Sequence, residues 1–206
     1  MIQQFANDTA LLLIDIQNGI DDLIYYGGPT GRRNNPDAES RIAQLLGAWR
    51  ERGLAVFHTR HDSREDGSPL KWSLPSGDFK PGFEPRADEV EIWKDVNSGF
   101  VGTRLTVELR RLRISRLVIA GFFTNFCIET TTRMAGNLGY DTYLVHDACA
   151  TTNRVGIDGT DYDPELVHAM SLASLNGEFC TAITQQQAIA LLSEDAHAIN
   201  RVQGNE

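Results

Sequence analysis

The stretch that decides the fold is Ala10-Leu11-Leu12-Leu13-Ile14, which is followed directly by Asp15. Consecutive apolar residues without polar alternation are typical of a strand that is buried on both faces, as in a parallel sheet. The run is too short for a membrane-spanning helix, which needs about 20 apolar residues. It therefore predicts a central strand of an α/β fold.

Outward from this run, apolar stretches alternate with helical patterns along the chain. Further strands are predicted at residues 54–57, 90–93, 117–120, 142–145 and 180–183. Helices are predicted after Pro36, from about Gly102-Thr103, over 125–138, from Pro164 to Leu175, and from Thr184. Such alternation indicates βαβ units, a parallel sheet and helices on both faces. The predicted fold is α/β, a three-layer α-β-α sandwich with a mostly parallel sheet that is doubly wound and Rossmann-like.

Two polar stretches interrupt the alternation. Residues 62–86 are rich in Gly, Pro, Ser and charge and predict a long loop, of the kind that often forms a binding lid. Residues 151–163 predict a second loop, rich in Gly and Asp. Neither stretch is a linker that would divide the chain, so we expect one domain over residues 1–206, with its core at about 8–192.

Composition excludes several classes of partner. The formal net charge of -9 argues against nucleic-acid binding, which needs a concentrated positive face. No apolar run is long enough for a membrane span, and residues 1–8 lack the basic start and apolar segment of a signal peptide. The cysteines at 127, 149 and 180 are odd in number and widely spaced, so we expect neither disulfides nor a zinc site, and a cytoplasmic location.

Three side chains that could take part in catalysis lie just past predicted strands. They are Asp15, Lys94 and Cys127, and in parallel sheets ligands bind at such strand ends. If Thr124 or Asn125 begins the next helix, Cys127 lies in its first turn. There the free N–H groups and the helix dipole would lower the pKa of the thiol and could hold an oxyanion.

Each of these residues also has an ordinary structural alternative. Asp15 suits a capping or solvated acid, Lys94 a surface lysine, and Cys127 a small buried packing residue. Cys149 and Cys180 have apolar or strand surroundings, so we interpret both as packing residues.

Three segments in order resemble the isochorismatase-like superfamily of cysteine hydrolases, which includes nicotinamidases, N-carbamoylsarcosine amidases and ureidoacrylate or maleamate amidohydrolases. The matching segments are LIDIQN at 13–18, Lys94 with SGFVGTRL at 98–105, and GFFTNFCIETTTRMA at 121–135. The strand ending 145–148 (VHDA) and His168 on the following helix also match, and the resemblance spans about residues 10–190.

The resemblance implies a catalytic set of Asp15, Lys94 and Cys127. It also implies a cis peptide between Phe122 and Phe123, and an oxyanion hole made by the backbone N–H groups of Phe123 and Cys127. Nicotinamidases hold a metal through an Asp-x-His and a second His after strand two, whereas this chain has HTRHD at 58–62. We therefore expect no metal and no cofactor, with His58 or His61 and Asp62 as the alternative ligands.

The expected function is hydrolysis of a C–N bond in a small linear amide or ureido compound, through a thioester on Cys127. True isochorismate vinyl-ether hydrolases of the family generally lack the cysteine, so Cys127 favours C–N cleavage. The residues predicted to contact the substrate are Gln17, Arg60, Trp72, Asn97 and Asn125.

Two other functions stay open. One is a vinyl-ether hydrolase in which Asp15 acts as an acid and Cys127 is idle. The other is a catalytically silent binding protein, in which an apolar surface that includes Met134 serves assembly. The resemblance also suggests a homo-oligomer, a dimer or tetramer. The partners expected besides copies of the chain are the small-molecule amide and water.

Overall fold

In the part of the chain that the structure describes, the sheet contains six strands, and all of them are paired in parallel. This computed structural model describes residues 4–192. The strands of the sheet are β1 (Thr9–Ile14), β2 (Val56–His61), β3 (Val90–Lys94), β4 (Arg116–Phe122), β5 (Asp141–Ala150) and β8 (Thr181–Ile183). Their order across the sheet is β3-β2-β1-β4-β5-β8, and two short strands, β6 (Arg154–Val155) and β7 (Asp161–Tyr162), lie outside it. All six were predicted from apolar runs, and the predicted α/β fold is confirmed.

The central strand β1 is buried along its whole length because both faces of the sheet are covered. Leu11 and Leu13 belong to one apolar core, whereas Leu12 and Ile14 belong to the other. Successive side chains of a strand point to opposite faces, so a continuous apolar run serves two cores at once.

The helices divide between the two faces. Two helices, α2 (Ala38–Glu51) and α6 (Gln185–Ala190), pack against one core. Helix α2 does so through Ile42 and Trp49 among others. Against the other pack α3 (Leu105–Arg111), α4 (Glu129–Asn137) and α5 (Pro164–Leu175). Helix, sheet and helix therefore form the three layers of a sandwich.

Several elements differ from the sequence prediction. A short helix α1 (Leu23–Gly27) follows β1, and a small antiparallel hairpin of β6 (Arg154–Val155) and β7 (Asp161–Tyr162) lies in the predicted polar loop. The helix predicted from 125 begins instead as a π-helical turn, Thr124–Ile128, before α4. Strands of two residues carry no period that a sequence could display.

Strand order reverses between β1 and β4, because the chain winds from β1 toward β2 and β3, and later from β4 toward β5 and β8. The two strands approach closely at this point. Gly121 has φ 133°, and a Cβ atom there would lie 2.2 Å from the carbonyl oxygen of Ile14. Only glycine fits this approach, which brings the ends of β1 and β4 together where ligands bind in such folds.

Among the helices that the structure describes, α2 is the longest, with 14 residues. Within residues 4–192, no helix combines the length and apolar character required to cross a bilayer.

Candidate active site

Three strand ends bring Asp15, Lys94 and Cys127 into direct contact. Asp15 follows β1, Lys94 is the last residue of β3, and Cys127 lies in the turn after β4. The Lys94 Nζ lies 2.7 Å from Asp15 Oδ2 and 3.2 Å from Cys127 Sγ. All three residues are buried, so the ion pair is shielded from water and salt.

The Lys94 ammonium has further partners. It contacts the Nδ1 atom of His61 at 2.7 Å and donates to the carbonyl oxygen of Val96 at 3.2 Å. Burial opposes its charge, but Asp15 and Cys127 outweigh burial and raise the pKa of Lys94. Burial lowers the pKa of His61, so its ring is neutral and Nδ1 accepts a hydrogen bond from the ammonium. Sequence reasoning did not assign His61 this role.

The same arrangement bears on metal binding. Asp15, His61 and Cys127 offer ligand atoms within 4.8 Å of one another. The Lys94 ammonium contacts or pairs with all three, so a metal ion would have to displace a buried cation. The alternative set does not converge: His58 binds Glu89 at 2.8 Å, and Asp62 accepts from the backbone N–H of Trp72.

Thr59 positions the Asp15 carboxylate. Its hydroxyl donates to Asp15 Oδ1 at 2.5 Å and accepts from the Asp15 backbone N–H at 3.1 Å. Asp15 itself has φ 52°, which is uncommon for a residue other than glycine. The hydroxyl therefore fixes one carboxylate oxygen and leaves the other toward Lys94.

The turn that carries Cys127 is wound more loosely than an α-helix. The carbonyl oxygen of Phe123 accepts from the N–H groups of Phe126 and Ile128, at 3.0 and 3.2 Å. The peptide bond between Phe122 and Phe123 is cis. At the other side of the turn, the hydroxyl of Thr124 contacts His168 Nδ1 at 2.8 Å.

Burial dominates the state of the sulfur. It raises the pKa of Cys127 to about 12, against the lowering by Lys94 and together with a rise from Asp15. The expectation of a lowered pKa from a helix start is therefore wrong for the free protein, because desolvation of the thiolate exceeds the attraction of one ammonium. The resting group is a thiol.

Cys127 opens into a pocket of about 470 Å³. The wall combines the catalytic candidates Asp15 and Cys127 with aromatic rings and a few charged side chains. The lining residues are Asp15, Ile20, Tyr25, Tyr26, His61, Ser63, Glu65, Ser68, Leu70, Asn97, Phe122, Phe123, Phe126, Cys127 and Arg154. Four of them come from the predicted loop at 62–86, which thus shapes the pocket.

Of the predicted substrate contacts, Asn97 lines this pocket, with its Oδ1 at 3.9 Å from Cys127 Sγ. Gln17, Arg60, Trp72 and Asn125 are not among the lining residues. Gln17 is fully buried and joins two backbone segments. Its amide nitrogen donates to the carbonyl oxygens of His61 and Gly77, and its amide oxygen accepts from the backbone N–H of His61. Its polar atoms are engaged, so it holds the strand ends and not a ligand.

The other three predicted contacts are likewise engaged elsewhere. Arg60 donates to the carbonyl of Gly77 at 2.9 Å and pairs with Asp78 at 2.7 Å. Trp72 packs edge-on against Trp93, with ring centroids 4.6 Å apart. Asn125 accepts a hydrogen bond from Thr151, which ties the turn that carries Cys127 to the end of β5. The partners of Arg60 lie in the loop at 62–86, whereas Trp93 lies in β3 and Thr151 directly follows β5.

The remaining cysteines pack in the core. Cys149 and Cys180 are buried free thiols in the same apolar cluster, as predicted. Neither lines the pocket.

Comparison with known proteins agrees with this architecture. Residues 9–187 match the model of the isochorismatase domain family. An isochorismatase-family protein of uncharacterised function, YrdC of Bacillus subtilis, is 40% identical over 180 residues, which cover 87% of this chain and 94% of the relative.

Solved structures give the same result. The crystal structure of an isochorismatase-family protein from Chromobacterium violaceum superposes with a TM-score of 0.84 at 43% identity, covering 91% of this chain and 95% of that one. A cysteine hydrolase from Pseudomonas syringae pv. phaseolicola superposes with a TM-score of 0.78 at 26% identity, covering 89% and 92%. The chain belongs to the isochorismatase family of hydrolases.

Proposed function

We propose that this protein is a cysteine amidase that cleaves a C–N bond of a small linear amide or ureido compound. The observation that carries the proposal is the contact of one buried ammonium, Lys94, with both the carboxylate of Asp15 and the sulfur of Cys127 at the wall of a pocket. A nucleophile, a base and a charge that stabilises their anionic forms are the parts needed for covalent catalysis.

In the first half of the reaction, Asp15 takes the thiol proton and the Cys127 sulfur bonds to the substrate carbonyl carbon. The carbonyl oxygen becomes an oxyanion. The backbone N–H groups of Phe123 and Cys127, two residues that line the pocket, are proposed to hold it. The oxyanion then re-forms the carbonyl as the C–N bond breaks. Asp15 gives its proton to the departing nitrogen, which leaves as ammonia or an amine.

In the second half, Asp15 takes a proton from water, and the resulting hydroxide attacks the thioester carbon. The C–S bond breaks, the acid is released, and the proton on Asp15 returns to sulfur. Lys94 keeps its proton throughout and stabilises the negative charge that passes between Asp15 and Cys127. The raised pKa of Cys127 means that proton transfer accompanies attack in the occupied pocket.

Two relatives support the class of substrate. The chain is 24% identical to the ureidoacrylate amidohydrolase of Caulobacter segnis over 178 residues, and 26% identical to nicotinamidase 3 of Arabidopsis thaliana over 160 residues. Both names describe hydrolysis of a C–N bond. The pocket of about 470 Å³ suits a small molecule.

The proposal is tested by ammonia release from linear amides, ureido acids and aromatic carboxamides, followed by intact-mass analysis of rapidly quenched reactions. We expect release from at least one class and a mass increase equal to the acyl group, mapped to Cys127. Hydrolysis of a vinyl ether with no ammonia release and no adduct would support the vinyl-ether alternative. A protein without turnover or selective thiol reactivity would support the silent binding protein.

The pKa of Cys127 makes a further prediction for the free enzyme. Because that pKa is raised to about 12, the reactive thiolate fraction increases with pH across the neutral and mildly alkaline range. Alkylation of Cys127 by iodoacetamide, followed by peptide mass analysis, should accelerate from pH 6 to 9 without levelling. A plateau already reached below pH 8 would show that the resting sulfur is a thiolate.

Thr59→Val tests the positioning of the carboxylate. The change keeps the shape of the side chain but removes both hydrogen bonds to Asp15, so we expect kcat to decrease by about 10- to 100-fold with a smaller change in KM. Thr59→Ser retains the hydroxyl and is the matched control. Equal kcat values for the valine and serine variants would contradict this role.

A further inference from the structure

The pocket wall contains an arginine that the proposed catalytic steps do not use. Arg154, at the start of β6, lines the pocket with Cys127. Its Nη1 donates to the carbonyl oxygen of Tyr26 at 2.9 Å, and its guanidinium lies over the ring of Phe126, 4.8 Å from the centroid. Phe126 directly precedes Cys127 in the turn that carries the sulfur. The cation is therefore held beside the segment of the proposed nucleophile.

The hairpin holds this arginine in place. Asn153, the residue before Arg154, is fully buried and donates to the carbonyl of Gly27 at 2.8 Å and to Asp161 at 2.7 Å. Asp161, on β7, pairs in turn with Arg32 at 2.8 Å. These contacts connect the hairpin to the segment after α1, and they fix the position of Arg154 relative to Tyr26.

The charge of Arg154 is not neutralised by the chain. Within residues 4–192, no carboxylate forms an ion pair with it, although Glu65 lines the same pocket. Glu65 instead accepts a hydrogen bond from the hydroxyl of Tyr25 at 2.5 Å. Lys94 is already balanced by Asp15. Arg154 is therefore the cation of this pocket that is available to a ligand.

Tyr26 lines the same pocket. Its ring packs against Phe123 at 4.4 Å, and its hydroxyl oxygen is buried without a hydrogen-bond partner in the described part of the chain. Burial raises the pKa of Tyr26, so the hydroxyl keeps its proton and can donate. A buried polar group without a protein partner costs stability, and a ligand that accepts its hydrogen bond would recover that cost.

We propose that Arg154 and the Tyr26 hydroxyl form a carboxylate-binding subsite, so that the substrate is a small linear amide or ureido compound bearing a carboxylate. This inference rests on the proposed amidase function. Nη1 donates to the Tyr26 carbonyl and one face of the guanidinium lies on Phe126. Among the described residues no acceptor takes a hydrogen bond from Nε or Nη2, and this pair of N–H groups has the fork geometry that suits a carboxylate. Arg60, which sequence reasoning considered for this task, is engaged by Asp78.

The first test compares acids with their own neutral esters in the unmodified enzyme. The probes are ω-amido and ureido acids with one to four carbons between the carboxylate and the reacting group, each paired with its methyl ester. We expect kcat/KM for the best acid to exceed that of its ester by about 10- to 100-fold. Equal or better hydrolysis of the esters would overturn the subsite and leave the amidase proposal intact.

The second test removes the cation. Arg154→Gln should raise KM for the best acid by about 10- to 100-fold while leaving the ester unaffected, so that the preference for the acid disappears. Arg133→Gln is the matched control, because Arg133 also lies over a phenylalanine ring at 4.8 Å, that of Phe179, but is absent from the pocket wall. A parallel loss for acid and ester in Arg154→Gln, at unchanged acid preference, would contradict the inference.

Tyr26→Phe separates binding from structure. It removes only the hydroxyl, so we expect kcat/KM for the acid to decrease by about 3- to 10-fold while Tm stays the same or rises. A purely structural hydroxyl would instead lower Tm and affect acid and ester alike.

If no probe is hydrolysed, protection of Cys127 from iodoacetamide provides a readout of binding alone. Acids should slow alkylation in the unmodified enzyme more than their esters do, and Arg154→Gln should abolish the difference. No difference between acid and ester would overturn the subsite, whereas protection without turnover would count against the proposed amidase only.

Discussion

Cys127→Ala is expected to reduce kcat/KM for amide hydrolysis by about 10⁴-fold or more, with the protein still folded. In the proposed mechanism the sulfur is the atom that forms the thioester, so its removal takes away the nucleophile. Asp15 and Lys94 would remain paired at 2.7 Å, so the buried charges stay balanced and folding is little affected. Ammonia release at substrate concentrations well below KM gives kcat/KM, and intact mass shows whether the adduct is lost.

Cys180→Ala is the control for this experiment. Cys180 is as buried as Cys127, at 8% exposure for each, but it packs in the apolar core outside the pocket. The Cys180→Ala variant should be somewhat less stable than the unmodified enzyme and should keep its kcat and KM. Activity retained in Cys127→Ala would exclude the thioester and turn attention to Asp15 acting alone, as in vinyl-ether cleavage.

Lys94→Met is expected to lower the free energy of unfolding by about 3–5 kcal/mol and to abolish turnover. The substitution fills a similar volume but leaves the Asp15 carboxylate, 1% exposed, without its ammonium. It also removes the hydrogen bond to the Cys127 sulfur and the N–H group from which His61 Nδ1 accepts a hydrogen bond. Urea unfolding followed by circular dichroism gives the free energy.

A double variant shows whether the cost comes from the unpaired charge. Asp15→Asn with Lys94→Met removes both charges, so it should be more stable than Lys94→Met alone. Lys80→Met is the matched lysine control: Lys80 pairs with Asp21 and Glu39, whose side chains are 59% and 22% exposed and can be hydrated once the ammonium is gone, so a smaller cost is expected. If Lys94→Met costs no more than Lys80→Met, the charges at the strand ends are not coupled as described.

Much of the fold could be predicted because burial on both faces leaves an unbroken apolar run, as in β1, and burial on one face leaves a helical period, as in α2. The hairpin of β6 and β7 and the helix α1 could not, since two to five residues are too few to show a period. The predicted dimer or tetramer and the cytoplasmic location stay predictions.

The candidate site could be predicted only in part from the sequence. Residues that end strands could be placed at one edge of the sheet, which is how Asp15, Lys94 and Cys127 were chosen. Whether a polar side chain at that edge faces the pocket depends on loop partners distant in sequence, such as the carbonyl of Gly77 for Gln17 and Arg60. The balance of burial against charge at Cys127 is likewise a property of the packed molecule, and it reversed the expected pKa shift.

The residues proposed to select a ligand lie on connections between strands and helices, whereas the proposed reacting groups lie at the ends of the strands. Ser63, Glu65, Ser68 and Leu70 come from one loop, and Arg154 comes from the hairpin. Connections tolerate exchange far better than a closely packed sheet edge does. Laboratory evolution of new substrate preferences should therefore diversify or graft residues 63–70 and the hairpin, and inherit the proton-transfer chemistry unchanged from the parent.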